Sequence, residues 1–178
     1  RKVWDWGVII GSFLPALLLG VAFANIFMGL PLDAKGIFQG NLFTLLNPYG
    51  LAGGILFVCL FLMHGSLWLT IKTEGDLQQR AAGLARKLWP VLAVLIGAFV
   101  VLTIIFTKLL ANYLANPLML VLLALPVAAL LVLRGMLGKE NWWMAWGASA
   151  VLIAGLALFG VVGLYPALLP SSIDPAFS

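Results

Sequence analysis

The chain has 178 residues, 63% of them hydrophobic and 9% charged, with a net charge of +4 and a mean hydropathy of +1.13. So little polar surface cannot cover a soluble fold of this size, and the fold class is an all-α integral membrane protein. The ten basic residues lie scattered between apolar runs and form no basic face, which excludes nucleic acid as a partner and leaves the charge excess as a topology bias.

The chain opens with Lys2-Val3-Trp4-Asp5-Trp6-Gly7 beside Arg1 and runs on through 8–28 without a charge. Tryptophan rings favour the headgroup level and basic residues the cytoplasmic side, so this stretch marks an entry into the bilayer. An apolar run of about 20 residues, at about 1.5 Å each, spans a hydrocarbon core of roughly 30 Å. The run is too long for a signal-peptide core and no small-residue cleavage pattern follows it, so it reads as retained. Four more charge-free runs follow, and the sequence predicts a bundle of five transmembrane helices at 8–28, 51–71, 89–107, 112–133 and 142–164.

A cytoplasmic N-terminus puts Arg1, Lys2, Lys72, Arg80, Arg86, Lys87, Arg134 and Lys139 inside, leaving two of the ten basic residues, Lys35 and Lys108, outside. The connection 31–50, with Asp33, Lys35 and the Asn47-Pro48 turn signal, is an amphipathic outer loop. The connection 72–87 is the main inner loop. In it Thr73 and Asp76 form a variant capping box, and Asp76 stands four residues before Arg80, which predicts a short surface helix leading into the third span. Pro117 suits the first turn of the fourth span, and Asn141 is an N-cap candidate for the fifth. Those two short turns make the last three spans antiparallel neighbours. The tail after Leu164, with Pro166, Pro170 and Pro175, reads as an irregular cap.

Pro15 and Pro126 lie within spans and predict bends. Gly20 with Ala24, and Gly147 with Ala150, Ala154 and Gly155, have the spacing that lets helices approach closely, either within the bundle or against a second subunit.

Every Asp, Glu, Lys and Arg lies at or beyond a span end, and the one ionisable side chain well within a span that titrates near neutrality is His64. It stands eight residues before Lys72, roughly 12 Å below the inner surface at helical rise. As a haem ligand it would need a second axial partner or an open site, and the adjacent Met63 points elsewhere on the helix. The plainer reading is a hydrogen bond to a neighbouring helix. One Cys (Cys59) and one His supply no metal-site spacing and no disulfide, no nucleophile has a paired base, and the chain reads as having no catalytic, cofactor or metal residues of its own. Asp5 is either a partner-facing acid at the cytoplasmic mouth or a first-turn aspartate favoured by the helix dipole and paired with Arg1 or Lys2. Trp4, Asp5, Trp6, Gly20 and His64 are therefore the structural or partner-facing candidates.

The runs Arg1-Lys2-Val3-Trp4-Asp5-Trp6-Gly7, Ile10-Gly11-Ser12-Phe13-Leu14-Pro15, Gly20-Val21-Ala22-Phe23-Ala24-Asn25, Gly40-Asn41-Leu42-Phe43, Leu46-Asn47-Pro48-Tyr49-Gly50-Leu51 and Thr73-Glu74-Gly75-Asp76-Leu77 resemble subunit II of the cytochrome bd quinol oxidases. Tyr165-Pro166-Ala167-Leu168-Leu169-Pro170-Ser171-Ser172 resembles that subunit's late outer loop. The resemblance implies that residues 1–178 are one transmembrane helical segment, the middle and later part of a longer subunit. It also implies a companion subunit I that carries haems b and d and the quinol-oxidising loop, with small accessory subunits as further partners. The subunit resembled is free of haem, and its acidic residues linked to proton delivery lie in opening helices that this sequence does not contain. The implied activity of the complex is oxidation of quinol and reduction of dioxygen to water, generating proton motive force in a bacterial or archaeal cytoplasmic membrane. An independent transporter or assembly factor is the alternative, distinguished by what co-purifies.

Overall fold

The computed structural model describes residues 2–115, 119–167, 169–174 and 176, apart from the side chain of Asn112. Among these residues seven helices follow one another: α1 (Lys2–Met28), α2 (Leu42–Leu45), α3 (Pro48–Lys72), α4 (Gly75–Phe106), α5 (Ala111–Ala115), α6 (Leu120–Gly138) and α7 (Trp142–Leu164). Five of them, α1, α3, α4, α6 and α7, are long and apolar enough to cross a membrane, and the chain is a multi-pass membrane protein.

The helix boundaries follow local chemistry. α1 begins at Lys2 rather than at residue 8, so Trp4, Asp5 and Trp6 are already helical and Asp5 sits in the first turn, where the dipole favours a carboxylate. α3 begins at Pro48 because the Asn47 side chain accepts from the Gly50 N–H and Pro48 needs no N–H partner at that position. α7 runs over 142–164 as expected, with Asn141 accepting from the Met144 N–H at 3.2 Å.

Two expectations are corrected. No inner loop with a separate surface helix precedes the third span: residues 75–106 form one helix of 32 residues, joined to α3 through Thr73 and Glu74, with Gly75 in the left-handed region (φ 66). The proposed capping box is absent, since Thr73 Oγ1 donates back to the Leu69 carbonyl and the N-cap Glu74 makes no side-chain cap bond. Pro90 does not end this helix. The carbonyl it frees belongs to Arg86, an exposed residue, so no buried acceptor is orphaned. Of the fourth span, expected over 112–133, the described residues form α5 and α6, and α6 continues to Gly138. Arg134 is accommodated because its guanidinium reaches over the Trp89 ring, 5.3 Å from the centroid. Pro117, Pro175 and Arg1 lie outside the described residues.

α3 is the hub, with α1, α4 and α7 against it and α6 packed on α7. α4 therefore rests chiefly on α3 and only touches α6, so the last three spans are not a consecutive set of close neighbours. Met63, Leu67, Leu92, Leu133, Leu137 and Leu152 are almost fully buried at its core. Close approach of α1 to α3 depends on glycine. A Cβ on Gly20 would lie 2.8 Å from Gly54 Cα and from Phe57 Cβ, and one on Gly53 2.6 Å from Ala24 Cβ. Gly155 meets Pro126 of α6 in the same way, whereas Gly147 has nothing near it. α1 and α6 each run as a single helix through Pro15 and Pro126.

The tail caps the end of the bundle away from Lys72, Arg86, Arg134 and Lys139. There the Leu30 N–H donates to the Pro170 carbonyl at 2.9 Å, the Ser172 N–H to the Leu30 carbonyl at 2.8 Å, and Ser171 Oγ to the Leu32 carbonyl at 2.8 Å.

Candidate functional site

Three places gather the polar residues. At the capped end, Asn25 of α1 is 2% exposed within an otherwise apolar second half of the helix. Its Nδ2 donates to the Val21 and Leu45 carbonyls, both at 2.8 Å, and its Oδ1 accepts from Asn47 Nδ2 at 2.7 Å. Asn47 Oδ1 in turn accepts from the Gly50 N–H at 2.8 Å. A Cβ on Gly50 would lie 2.7 Å from Asn25 Nδ2, so only glycine admits this network. Next to it the fully buried Tyr49 stacks on Phe99 at 5.1 Å, its hydroxyl 2.9 Å from Thr103 Oγ1. Thr103 gives its single hydroxyl proton to the Phe99 carbonyl at 2.7 Å, which makes Tyr49 the donor to Thr103. α1, α2, α3 and α4 are thus tied at one end by satisfied hydrogen bonds, the arrangement a low-dielectric surrounding demands.

The basic end is built from rings and cations. His64 Nδ1 lies 2.8 Å from Ser149 Oγ of α7, and Ser149 spends its proton on the Trp146 carbonyl at 2.7 Å. His64 therefore donates through Nδ1, and Nε2 is left outside this bond. The expected bond from His64 to a neighbouring helix is present. Its ring also lies 5.2 Å from that of Trp146, whose Nε1 has no hydrogen-bond partner among the described residues. Trp68, Trp143 and Trp146 pack together above it, and Lys72 Nζ stands 4.8 Å over Trp68. Arg86 pairs with Glu140 at 2.6 Å while lying 5.3 Å from the Trp142 centroid, and Trp89 Nε1 donates to the Leu130 carbonyl at 3.0 Å. These rings and cations at one level are an interfacial belt. The expected Asp76–Arg80 pair is a long, exposed contact of 3.9 Å.

The third place is the first half of α1. Trp4 and Trp6 are 80% and 63% exposed, Asp5 is exposed between them, and residues 2–15 all remain exposed, with only an open groove between Val8, Ile9, Ser12 and Phe13 and the Val58, Phe61 and Leu62 side of α3. No ion pair joins Lys2 to Asp5 among the described residues. Gly20, by contrast, is committed to this chain's own α3.

Outside the spans, the Asp33 carboxylate accepts from the Ile37 and Lys35 N–H groups, each at 2.9 Å, and from Gln39 Nε2 at 2.8 Å. The Ile37 bond above all, then the other two, favour the charged form and hold this carboxyl below its ordinary range. Among the described residues no three of His, Cys, Asp and Glu come together as a metal site, and Cys59 is a buried free thiol.

Sequence reasoning read Asn47 only as part of a turn signal and assigned no role to Asn25, Tyr49 or Thr103. The available signal was Asn25 itself, an amide within a run otherwise free of strong polar groups, which implies a partner in the fold. The runs 20–25 and 46–51, separate in sequence, meet around that amide, together with the Leu45 carbonyl at the end of α2.

A family description, cytochrome bd terminal oxidase subunit II, matches residues 1–176. Cytochrome bd ubiquinol oxidase subunit 2 of Bacillus subtilis (strain 168) is 32% identical over 99% of this chain and 52% of its own length. Probable cytochrome oxidase subunit 2 of Haemophilus influenzae is 31% identical over 98% of this chain and 54% of its own. Cytochrome bd-I ubiquinol oxidase subunit 2 of Escherichia coli (strain K12) is 40% identical over 48% of this chain and 24% of its own. The chain spans about half the length of the relatives that match it throughout. With a family match across nearly the whole chain, and with five helices long and apolar enough to cross a membrane, this chain belongs to the cytochrome bd terminal oxidase subunit II family.

Proposed function

We propose that this chain serves as a haem-free membrane subunit of a quinol:oxygen oxidoreductase. The observation that carries the reading is the family match over residues 1–176. The relatives' names supply the class of reaction: ubiquinol oxidase. The chain's own chemistry suits support rather than turnover. His64 is committed to Ser149 through Nδ1 and lies against Trp146, the amides at the capped end hydrogen-bond each other, and Lys72, Arg86 and Arg134 at the basic end lie against rings or Glu140. Haems b and d and the quinol site belong, on this reading, to a companion subunit, with electrons passing from quinol to dioxygen there. The basic end faces the cytoplasm, because eight of the ten Lys and Arg residues lie on that side of the spans.

The test is affinity purification of the full-length subunit from its native membrane. A haem-bearing partner and quinol-dependent oxygen consumption are expected in the same fraction. A subunit that purifies alone, without haem, and moves a solute in vesicles would replace this reading with the transporter one. Orientation is read separately. Single cysteines at Asp33 and Gln79, in a Cys59→Ser background, should label with an impermeant reagent from opposite faces, and labelling from one face refutes the assignment.

A further inference from the structure

At the basic end, two lysines beside one cleft have no carboxylate partner. The ion pairs among the described residues are Arg80–Asp76 and Arg86–Glu140, so neither Lys72, the last residue of α3, nor Lys139, at the C-cap of α6, is neutralised. Glu74, close in sequence to Lys72, pairs with neither lysine. Lys72 Nζ lies over the Trp68 ring and 5.8 Å from the Trp143 centroid, and a ring face attracts a cation without cancelling its charge. Lys139 and Trp143 line an open cleft of about 450 Å³, where the end of α3, the start of α4 and the turn between α6 and α7 face one another. The other polar groups there leave it fit for an anion. Gln78 Nε2 donates to the Thr70 carbonyl at 3.0 Å, Glu140 is held by Arg86, and Asn141 accepts through Oδ1 from the Met144 N–H, which leaves the Asn141 Nδ2 hydrogens for a ligand.

What lies below the cleft decides which anion. Phe61, Gly65, Trp68 and Lys72 recur every three or four residues on one side of α3, and Trp143, Gly147 and Ala150 do so on α7. Trp68 and Trp143 meet edge to face at 6.4 Å, so the two rows flank one seam. A Cβ on Gly65 or Gly147 would meet nothing within 4 Å, and the seam below the rings is therefore an open furrow on the outside of the bundle. At helical rise it runs roughly 16 Å from Lys72 to Phe61. That is the depth of one leaflet of a hydrocarbon core of about 30 Å. A soluble phosphate gains nothing from such a furrow, whereas a phospholipid carries its phosphate directly above an acyl chain.

We propose that Lys72, Lys139 and Asn141 bind the headgroup of an anionic phospholipid whose acyl chain lies in the furrow past Gly65 and Gly147. Each ammonium near the membrane surface favours an anionic over a neutral lipid by about fivefold. A zwitterionic headgroup brings its own cation and loses that advantage. Trp68 and Trp143 hold Lys72 at headgroup level and wall the entrance to the furrow.

The experiment reconstitutes the whole complex in phosphatidylcholine vesicles containing a minor fraction of lipid with dibrominated acyl chains, which quench tryptophan fluorescence on contact. In native complex, brominated phosphatidylglycerol should quench more than brominated phosphatidylcholine. Lys72→Gln and Lys139→Gln should each lower that preference about fivefold, and Lys72→Arg and Lys139→Arg should keep it. Lys139→Gln, on an exposed turn, carries the test alone if Lys72→Gln assembles poorly. Gly147→Leu fills the furrow with both charges kept and should also reduce the quenching. Equal quenching by the two lipids in native complex overturns the site, as does a preference unchanged in the glutamine variants. Quenching unchanged in Gly147→Leu overturns the furrow. Loss of the preference in millimolar inorganic phosphate, at matched ionic strength, would make the cleft a site for soluble anions and overturns the lipid. None of these readings uses haem or dioxygen, so they stand apart from the oxidase assignment.

Discussion

α1 is one continuous helix with two different halves. From Gly20 onward it is pressed against α3, with Val21, Ala24 and Asn25 buried and an amide network closing the end. From Lys2 to Pro15 every residue stays exposed, and only an open groove separates Val8, Ile9, Ser12 and Phe13 from Val58, Phe61 and Leu62 of α3. Both halves are apolar and both read as one membrane span. Hydropathy reports that a residue prefers hydrocarbon and is silent on whether lipid or protein provides it. In the buried half, small residues and one paired amide settle the matter in favour of protein.

Glycine substitutions break the comparison hardest. Gly20→Leu forces a side chain into Gly54 Cα and Phe57 Cβ, backbone and inner side-chain atoms that cannot swing away, and should cost roughly 3 kcal/mol or more. The isolated subunit in detergent should lose its cooperative melting transition. Gly11→Leu, where a Cβ meets nothing within 4 Å, should leave that transition unchanged. Equal behaviour of the two variants would show that the halves of α1 do not differ as described. A loss of complex assembly confined to Gly11→Leu would identify the open half as a surface for another subunit.

Asn25→Ala comes next. It leaves the Leu45 carbonyl without its side-chain donor in a low-dielectric site and removes one of the two acceptors of Asn47 Nδ2, a loss of about 1–3 kcal/mol read as a lowered Tm. Tyr49→Phe removes one donor from the adjacent bond to Thr103 and should cost about 1 kcal/mol, with Thr103→Val less than additive when combined with it. Full additivity would mean that the two hydroxyls do not act on each other.

His64→Ala should have a smaller effect, about 0.6 kcal/mol, typical of a hydrogen bond between spans, with haem content and optical bands of the assembled complex unchanged. Disappearance of one band from an assembled variant would contradict the haem-free reading.

The smallest effect is local. Because the Asp33 carboxyl is held below its ordinary range, its ordering of the 33–39 turn is complete above the ordinary carboxylate range and fades as pH falls through the folded value. Amide protection at Lys35 and Ile37 should follow that course while protection around Asn25, where no carboxylate or imidazole takes part, stays flat. Asp33→Asn should remove the pH dependence.

The number of spans, the limits of α7 and the cap at Asn141 were determined by the sequence alone, because hydropathy and capping are properties of single residues and their immediate neighbours. The same local reasoning failed at 72–87. Polar composition suggested a loop with a short separate surface helix there, but a helix projecting beyond the hydrocarbon satisfies its own backbone in water as well, and α4 simply continues. Charge-free length also misplaced the fourth span, since it could not foresee that Trp89 would take up Arg134. Pairwise facts were out of its reach altogether. Gly147 and Gly155 look alike in one helix, yet only Gly155 meets a partner, Pro126. Gly20, Asn25 and His64 each announced a need for close contact or a hydrogen bond. Only the tertiary structure decided that α3, Asn47 and Ser149 would meet those needs, because such contacts depend on which residues distant in sequence arrive at the same depth in the bundle.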